Sequence, residues 1–467
     1  MLRLHDTATL TVRPLELREP GKVSMYVCGP TVYDVPHIGH GRFSLVFDVL
    51  RRYLSFTGLD VHYVSNVTDV DDHIIERARL EGRTEAEVAA QYEALWWEAM
   101  DALDVLRPVD VPHATAYIPG MVALVTDLVG KGVAYETGDG VYMSVDSVDD
   151  YGLLAHQPLS TLRAGARVEA VEEKRSPLDF ALWKKAKPGE PSWVSPWGRG
   201  RPGWHTECVV MSLDLLGDDF DLHGGAQDLM FPHHENERAQ AVADGHRFAR
   251  HWVHNGWVMV GGEKMSKSLK NFTTISELRA TSDPRAYRLL VLRSHYRKPI
   301  EVSPDSVADA EKGLARLDAL ARRLSVTDPM DEAEDGIVVR GQPTAAPTGV
   351  DEDAVDRFCE HMDDDLDTPA ALATVFDLVN RANAAADDGR AATASRLGVT
   401  VGLLCGAVGL RLHGEVGEVD DVTRRLVAER DAARRERDFA HADTIREELA
   451  AAGWTVEDGP EGTVVHR

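Results

Sequence analysis

The first strongly patterned stretch, Val23-Ser-Met-Tyr-Val-Cys28, is apolar and stops at Gly29-Pro30, the signature of a buried strand followed by a loop. After His37-Ile-Gly-His40, apolar side chains fall at Phe43, Val46, Phe47, Leu50 and Leu54, the spacing of one helical face. A second strand, Val61 to Asn66, follows Thr57-Gly58, so the chain opens with a β-α-β unit of the kind that builds a parallel sheet. Between residues 111 and 201 the pattern changes to short strands and turns, such as Val133 to Glu136 and Gly140 to Val145, and predicts an inserted α+β module. The α/β pattern resumes with Phe220 to His223, a helix after Pro232 and the apolar run Trp252 to Val260. From about Asp305 the pattern is helical, with Ala-rich segments on either side of a Pro-, Gly- and Thr-containing stretch, Asp335 to Gly349. The predicted fold is α/β: a Rossmann-like parallel-sheet domain split between 1–110 and 202–300, an insertion at 111–201, an all-α bundle at 301–420 with an acidic linker near 326–350, and a small C-terminal domain at 421–467.

Composition narrows the class. Hydrophobic residues make up 43% and charged residues 27% of 467, which fits a globular chain and excludes a mostly disordered one. No window approaches the ~18 consecutive apolar residues of a membrane span. The opening MLRLHDTATLTVRPLELREP lacks a signal peptide's apolar centre, so a cytoplasmic protein with no membrane partner is expected. Four cysteines without a CxxC pair are too sparse for a disulfide scaffold. The net charge of −26 seems wrong for a protein that touches nucleic acid. Only 11 of the 51 basic residues are Lys, however, and an acid-rich, Lys-poor chain suits concentrated salt, where at about 1 M the Debye length is only ~3 Å. A halophilic host is the expectation. Val326 to Asp367, with 14 acids and two Arg, reads as a solvated acidic surface, whereas Arg424 to Arg446 carries seven Arg and five acids and locally reverses the sign.

Two distant strings could carry chemistry. Pro36-His-Ile-Gly-His40 sets two imidazoles at a strand-to-helix loop, where free helical N–H groups and the dipole favour a phosphate. Lys264-Met-Ser-Lys-Ser268 supplies two ammonium groups and two hydroxyls suited to β- and γ-phosphates. Neither is a Walker loop. Zinc takes four ligands from Cys, His and carboxylate. Cys28 ends the first strand, Cys208 follows Gly-Trp-His-Thr-Glu, and His233 and Glu237 lie four apart on a helix that Pro232 would start. Spacing alone leaves two readings open: a metal set, or two buried thiols beside a solvated helix.

The flanking residues are more specific. Tyr26-Val-Cys-Gly-Pro-Thr-Val-Tyr-Asp34, Asn66-Val-Thr-Asp-Val-Asp-Asp72, Gly203-Trp-His-Thr-Glu-Cys208, Asp228-Leu-Met-Phe-Pro-His-His-Glu-Asn-Glu237 and Lys264-Met-Ser-Lys-Ser268, in this order, resemble the cysteinyl-tRNA synthetases of class I. The resemblance implies that cysteine is activated with Mg-ATP to cysteinyl adenylate and transferred to the 3′-terminal ribose of tRNA-Cys by a monomer whose helical C-terminal part binds the anticodon. It implies ATP contacts by His37, Gly39, His40, Lys264, Ser266, Lys267 and Ser268, with His37, His40, Lys264 and Lys267 catalytic. It implies zinc on Cys28, Cys208, His233 and Glu237, with His234 as rival for the third ligand, and cysteine held by Cys28, Gly29, Thr68, Trp204, Asp228 and His233. By residue type alone, a core aromatic is the lesser reading of Trp204, whereas Thr68 and Asp228 read equally as capping or turn residues. The chain departs from the family at Gly462-Thr-Val-Val465, which lacks the closing aromatic. Two other readings stand beside this one: a ligase joining cysteine to a small amine, and a non-catalytic zinc- or tRNA-binding paralogue.

Overall fold

A computed structural model describes the chain except at residues 158–160, 162–172, 266–271, 328, 331–332, 334–335, 341–348, 415–420, 460–461 and 467. At its centre lies a four-stranded parallel sheet. Its strands in chain order are β1 (Lys22–Val27), β2 (Asp60–Val64), β3 (Phe220–Ala226) and β4 (Ala249–Asn255), arranged in space as β4-β3-β1-β2. Parallel strands covered on both faces need continuous apolar runs, and every residue of β1 after Lys22 is buried. Helix α1 (Ile38–Phe56) follows β1, and only Gly39 and His40 of it escape full burial. A helix enclosed on all sides must be covered by more than one layer. The sheet covers one side, and the C-terminal helices cover the far end, where Phe56 meets Phe358 at 6.4 Å and the Tyr53 hydroxyl donates to Asp363 at 2.9 Å.

Between β2 and β3 the chain makes helices over Asp72–Glu81, Glu85–Ala102 and Ile118–Gly130, then an antiparallel sheet of Ala134–Glu136, Gly140–Met143, Phe180–Lys185 and Gly200–Pro202. Helix α2 (Trp204–Leu216) returns it to β3, and an irregular turn, Met230–His234, leads into α3 (Glu235–Asp244). The helix expected after Pro232 therefore begins regularly at Glu235. After β4, strand Val258–Val260 pairs with Glu263–Lys264 and with Ile300–Glu301. Helices Pro304–Leu324, Glu352–Asp363, Thr368–Asp387 and Ala391–Gly406 share one continuous apolar core with α1 and the sheet. The last unit, helices Asp421–Arg435 and Phe439–Ala451, closes on a hairpin, Thr455–Gly459 with Gly462–His466, around Ile445, Leu449, Trp454, Val456 and Val465. That hairpin, like the N-terminal one of Arg3–Asp6 and Thr11–Pro14, is too short and polar to stand out in the hydrophobic pattern.

Candidate active site

The carboxyl ends of β1 and β3 open onto a cleft of about 450 Å³, the usual place for ligands in an open parallel sheet. At its floor the ligating atoms of Cys28, Cys208, His233 and Glu237, all buried, lie within 4.8 Å of one another. Cys28 Sγ is 3.7 Å from Cys208 Sγ and 3.3 Å from Glu237 Oε1, Cys208 Sγ is 3.7 Å from His233 Nε2, and His233 Nε2 is 3.0 Å from Glu237 Oε1. Around tetrahedral zinc, with bonds of about 2.0–2.3 Å, donor atoms stand roughly 3.3–3.8 Å apart. The donor set fits that ion, as do the three separations that involve a thiol; His233 and Glu237, at 3.0 Å, are drawn together by their own ion pair and would part slightly around it.

Outer neighbours aim the donors. His205 Nδ1 lies 2.8 Å from His233 Nδ1, which leaves Nε2 for the cluster, and His223 Nε2 lies 2.8 Å from Glu237 Oε2, which leaves Oε1. Burial opposes ionisation of Glu237, yet His233 and His223 hold its carboxyl well below the usual range. Burial likewise disfavours the His233 imidazolium, but Glu237 and Cys208 raise it to about 10. Burial pushes the Cys28 thiol well up, whereas Cys208, buried too, is drawn down to about 6 by its contacts with Cys28 and His233. Donors sharing protons in this way are poised for a divalent cation to displace them. His234 turns the other way: its Nδ1 meets His254 Nε2 at 2.8 Å, and it groups instead with Cys28, His223 and Glu237 in a second four-donor set.

Above the cluster the Trp204 ring stacks on His233 at 4.0 Å and 25°, and Trp204, Asp228 and Cys28 line the cleft. Thr68 is buried, with its hydroxyl donating to Glu207 Oε2 at 2.9 Å and accepting from Asn66 Nδ2 at 3.3 Å. Gly29 N–H donates to Asn66 Oδ1 at 2.9 Å, and a Cβ on Gly29 would stand 1.7 Å from the Asn66 carbonyl oxygen. Because that obstacle is backbone, Gly29→Ala is expected to cost about 1–3 kcal/mol of stability and to raise the KM for the amino acid, by shifting Cys28 and Asn66 together. A urea titration and initial rates check this; unchanged values of both contradict it.

At the cleft's other end His37 caps α1. His37 Nδ1 accepts from His40 N–H at 3.2 Å, His40 Nδ1 accepts from His37 N–H at 3.3 Å, and the rings stack at 3.7 Å. A Cβ on Gly39 would stand 2.9 Å from the His37 ring, so glycine is what lets the two imidazoles face the helix N-terminus together. Lys264 Nζ lies over the Trp257 ring, 4.3 Å from its centroid, on the wall of the same cleft. Ser266, Lys267 and Ser268 lie outside the described residues. One cleft thus brings together His37, Gly39, His40, Lys264, Cys28, Gly29, Trp204 and Asp228. Sequence reasoning singled out neither His205, His223, Asn66 and Glu207 nor Trp257. His223 stands in the middle of β3 and His205 adjoins Trp204, but nothing local in either distinguishes a partner from a core residue.

The chain matches the family model for the class I (C) tRNA synthetase catalytic domain over residues 14–312, the DALR domain over 357–413 and the cysteinyl-tRNA ligase anticodon binding domain over 417–465. It is 45% identical over 477 residues to the cysteine–tRNA ligase of Thioalkalivibrio sulfidiphilus, covering 100% of both chains. It is also 45% identical over 474 residues to that of Halorhodospira halophila, covering 99% of each. Among solved structures, Mycobacterium tuberculosis methionyl-tRNA synthetase in complex with methionyl-adenylate aligns with a TM-score of 0.59 at 16% identity, over 83% of this chain and 89% of that one, a likeness of fold.

Proposed function

The chain belongs to the cysteine–tRNA ligase family and is an ATP-dependent class I aminoacyl-tRNA synthetase for cysteine, and we propose that the cluster of Cys28, Cys208, His233 and Glu237 holds the zinc by which it chooses that amino acid. The observation that carries the proposal is the convergence of two thiols, an imidazole and a carboxylate at the floor of the cleft whose far end holds the stacked pair His37 and His40. Zinc bound there supplies a Lewis acid that favours cysteine's thiolate, for which serine's hydroxyl is a poor substitute. If selection reaches ~10⁴, it corresponds to about 5.5 kcal/mol, within what a site demanding one bonding group attains without editing.

The chain's own residues do the rest. Trp204 walls the side-chain pocket and Asp228 holds the substrate ammonium, while Thr68, buried and bonded to Glu207 and Asn66, supports the cleft from behind. The substrate carboxylate attacks the α-phosphorus of Mg-ATP. His37 and His40, at the N-terminal end of the α1 dipole, stabilise the charge that develops there, and Gly39 admits the phosphate. Lys264 and Lys267, with Ser266 and Ser268, hold the departing pyrophosphate. In this reading 1–110 with 202–300 forms the catalytic domain, 111–201 the inserted module, 301–420 the tRNA-binding bundle, and 421–467 the unit that reads the anticodon, with Arg424, Arg425, Arg434 and Arg435 on one helix. The small-amine ligase and the non-catalytic paralogue are not favoured, because the anticodon-binding model matches 417–465 and both ATP strings are intact in the sequence.

A chain ending near residue 414, which removes only the last unit and keeps the core shared with α1, is expected to retain cysteine-dependent ATP–pyrophosphate exchange and to lose charging of tRNA-Cys. Charging by that fragment would overturn the assignment of tRNA binding. We further propose a monomer, as the family resemblance implies, and a salt-rich cytoplasm, on the strength of 77 acids against 11 Lys. Charging that holds or rises towards about 1 M KCl supports this, and a steady fall contradicts it.

A further inference from the structure

Arg42 lies one residue pair beyond His40, on α1, and is 1% exposed. Its guanidinium donates to the backbone carbonyls of Trp257, Tyr296 (3.1 Å) and Lys298. Among the described residues no carboxylate pairs with it. Burial lowers its pKa to about 10, so it stays charged at neutral pH. A buried cation held only by carbonyl dipoles is costly, and a methionine would fill the space without that cost. What the planar fork adds is position: it ties the helix carrying His37 and His40 to the corner where Trp257 and residues 296–298 meet. Two of the three carbonyls have backbone donors as well: the Trp257 carbonyl also takes the Ile300 N–H at 2.9 Å and the Tyr296 carbonyl takes the Gly256 N–H at 2.8 Å. On the other face of that residue, the Trp257 ring carries the Lys264 ammonium at 4.3 Å.

We propose that Arg42 is a positioning residue for adenylate formation, acting through Trp257 to set Lys264 at its working distance from the His37–His40 pair. The proposal rests on the reading of Lys264 as a group that holds pyrophosphate. It makes the two ATP strings one geometric unit: Arg42 fixes the backbone of Trp257, and the indole fixes the starting place of the ammonium. A displacement of about 1 Å at such a group costs on the order of 10²-fold in rate.

The test is a double-mutant cycle on the full-length zinc-loaded enzyme, read as the single-turnover rate of cysteinyl adenylate formation. Arg42→Met and Lys264→Ala are each expected to lower that rate on the order of 10²-fold, and the double variant about as much as either alone. Zinc content and the KM for cysteine stay unchanged, which a merely structural lesion would not spare. Arg42→Lys, able to reach fewer of the three carbonyls, falls between. Trp257→Leu keeps the carbonyl that Arg42 holds but removes the ring; it approaches the relay from the other side should Arg42→Met fail to fold, and its effect is likewise lost in the Lys264→Ala background. Additive losses, about 10⁴-fold in the double variant, or no loss in Arg42→Met, overturn the proposal. If Lys264→Ala alone leaves the rate unchanged, the reading of Lys264 fails and the relay with it.

Discussion

Replacing Cys208 by serine is expected to strip the metal and, with it, cysteine activation. The serine oxygen is close in size but is a hard, weakly acidic donor where a soft thiolate is needed, and it leaves Cys28, His233 and Glu237 as an incomplete set. Changes to outer neighbours alone cost about 10–100-fold in metal affinity, so loss of a ligand should exceed that. The outer neighbours supply graded controls: His205→Ala frees the His233 ring and His223→Ala frees Glu237 Oε2, and each should weaken zinc by about 10–100-fold without abolishing it. Metal analysis after dialysis and cysteine-dependent pyrophosphate exchange read both effects. Undiminished zinc in the Cys208→Ser variant would remove it from the ligand set.

The largest effect on stability is expected at Asp48. This carboxylate, 2% exposed, accepts from Arg52 Nε at 2.8 Å, from Arg288 at 2.6 Å and from the Leu106 N–H at 2.9 Å. The two guanidiniums reach onward to the carbonyls of Leu103, Asp104, Gly336 and Val408, so one buried cluster joins α1, the loop after the Glu85–Ala102 helix and the C-terminal helices. Asp48→Ala removes the close counter-charge of two buried cations, leaving Arg52 only the Asp104 carboxylate at 3.8 Å, and should cost about 3–5 kcal/mol. Burial alone would raise the Asp48 pKa, but Arg52 and Arg288 hold it below the usual value. A depressed carboxylate contributes stability that is present above the unfolded pKa, about 4, and is lost as pH falls through the folded value. The wild-type chain should therefore lose stability on acidification below about pH 4 more steeply than Asp48→Asn does. Urea midpoints across pH measure this; coincident curves would contradict it.

Much of the fold was legible because it is governed by local burial. The run Val23 to Cys28 is β1 and its end, and the apolar series Phe43 to Leu54 is α1, capped by the His37 that the loop motif placed there. Asp48, Arg42 and Arg52 on that same helix were not legible as buried groups. Periodicity reports one covered face, whereas α1 is covered from two sides; Asp48 and Arg52 pair four apart on the helix itself, but their other partners and all those of Arg42 lie 52 to 284 positions away. The candidate site divides in the same way. His233 and Glu237 were paired by a spacing of four, but Cys28 and Cys208 are 180 residues apart, and only the return of the chain through α2 makes them neighbours. The spacing of four favours His233 over His234, but the orientation of each ring depends on the irregular turn of Met230–His234 and on what His205 and His254 offer to it, which no local pattern reports.

The central claim is that cysteine is chosen by sulfur at the Cys28, Cys208, His233 and Glu237 site. Zinc K-edge X-ray absorption on the zinc-loaded chain tests it most directly. The account predicts a sulfur shell of two, from Cys28 and Cys208, that becomes three when L-cysteine is added and stays at two with L-serine. A sulfur shell that does not respond to cysteine would contradict it.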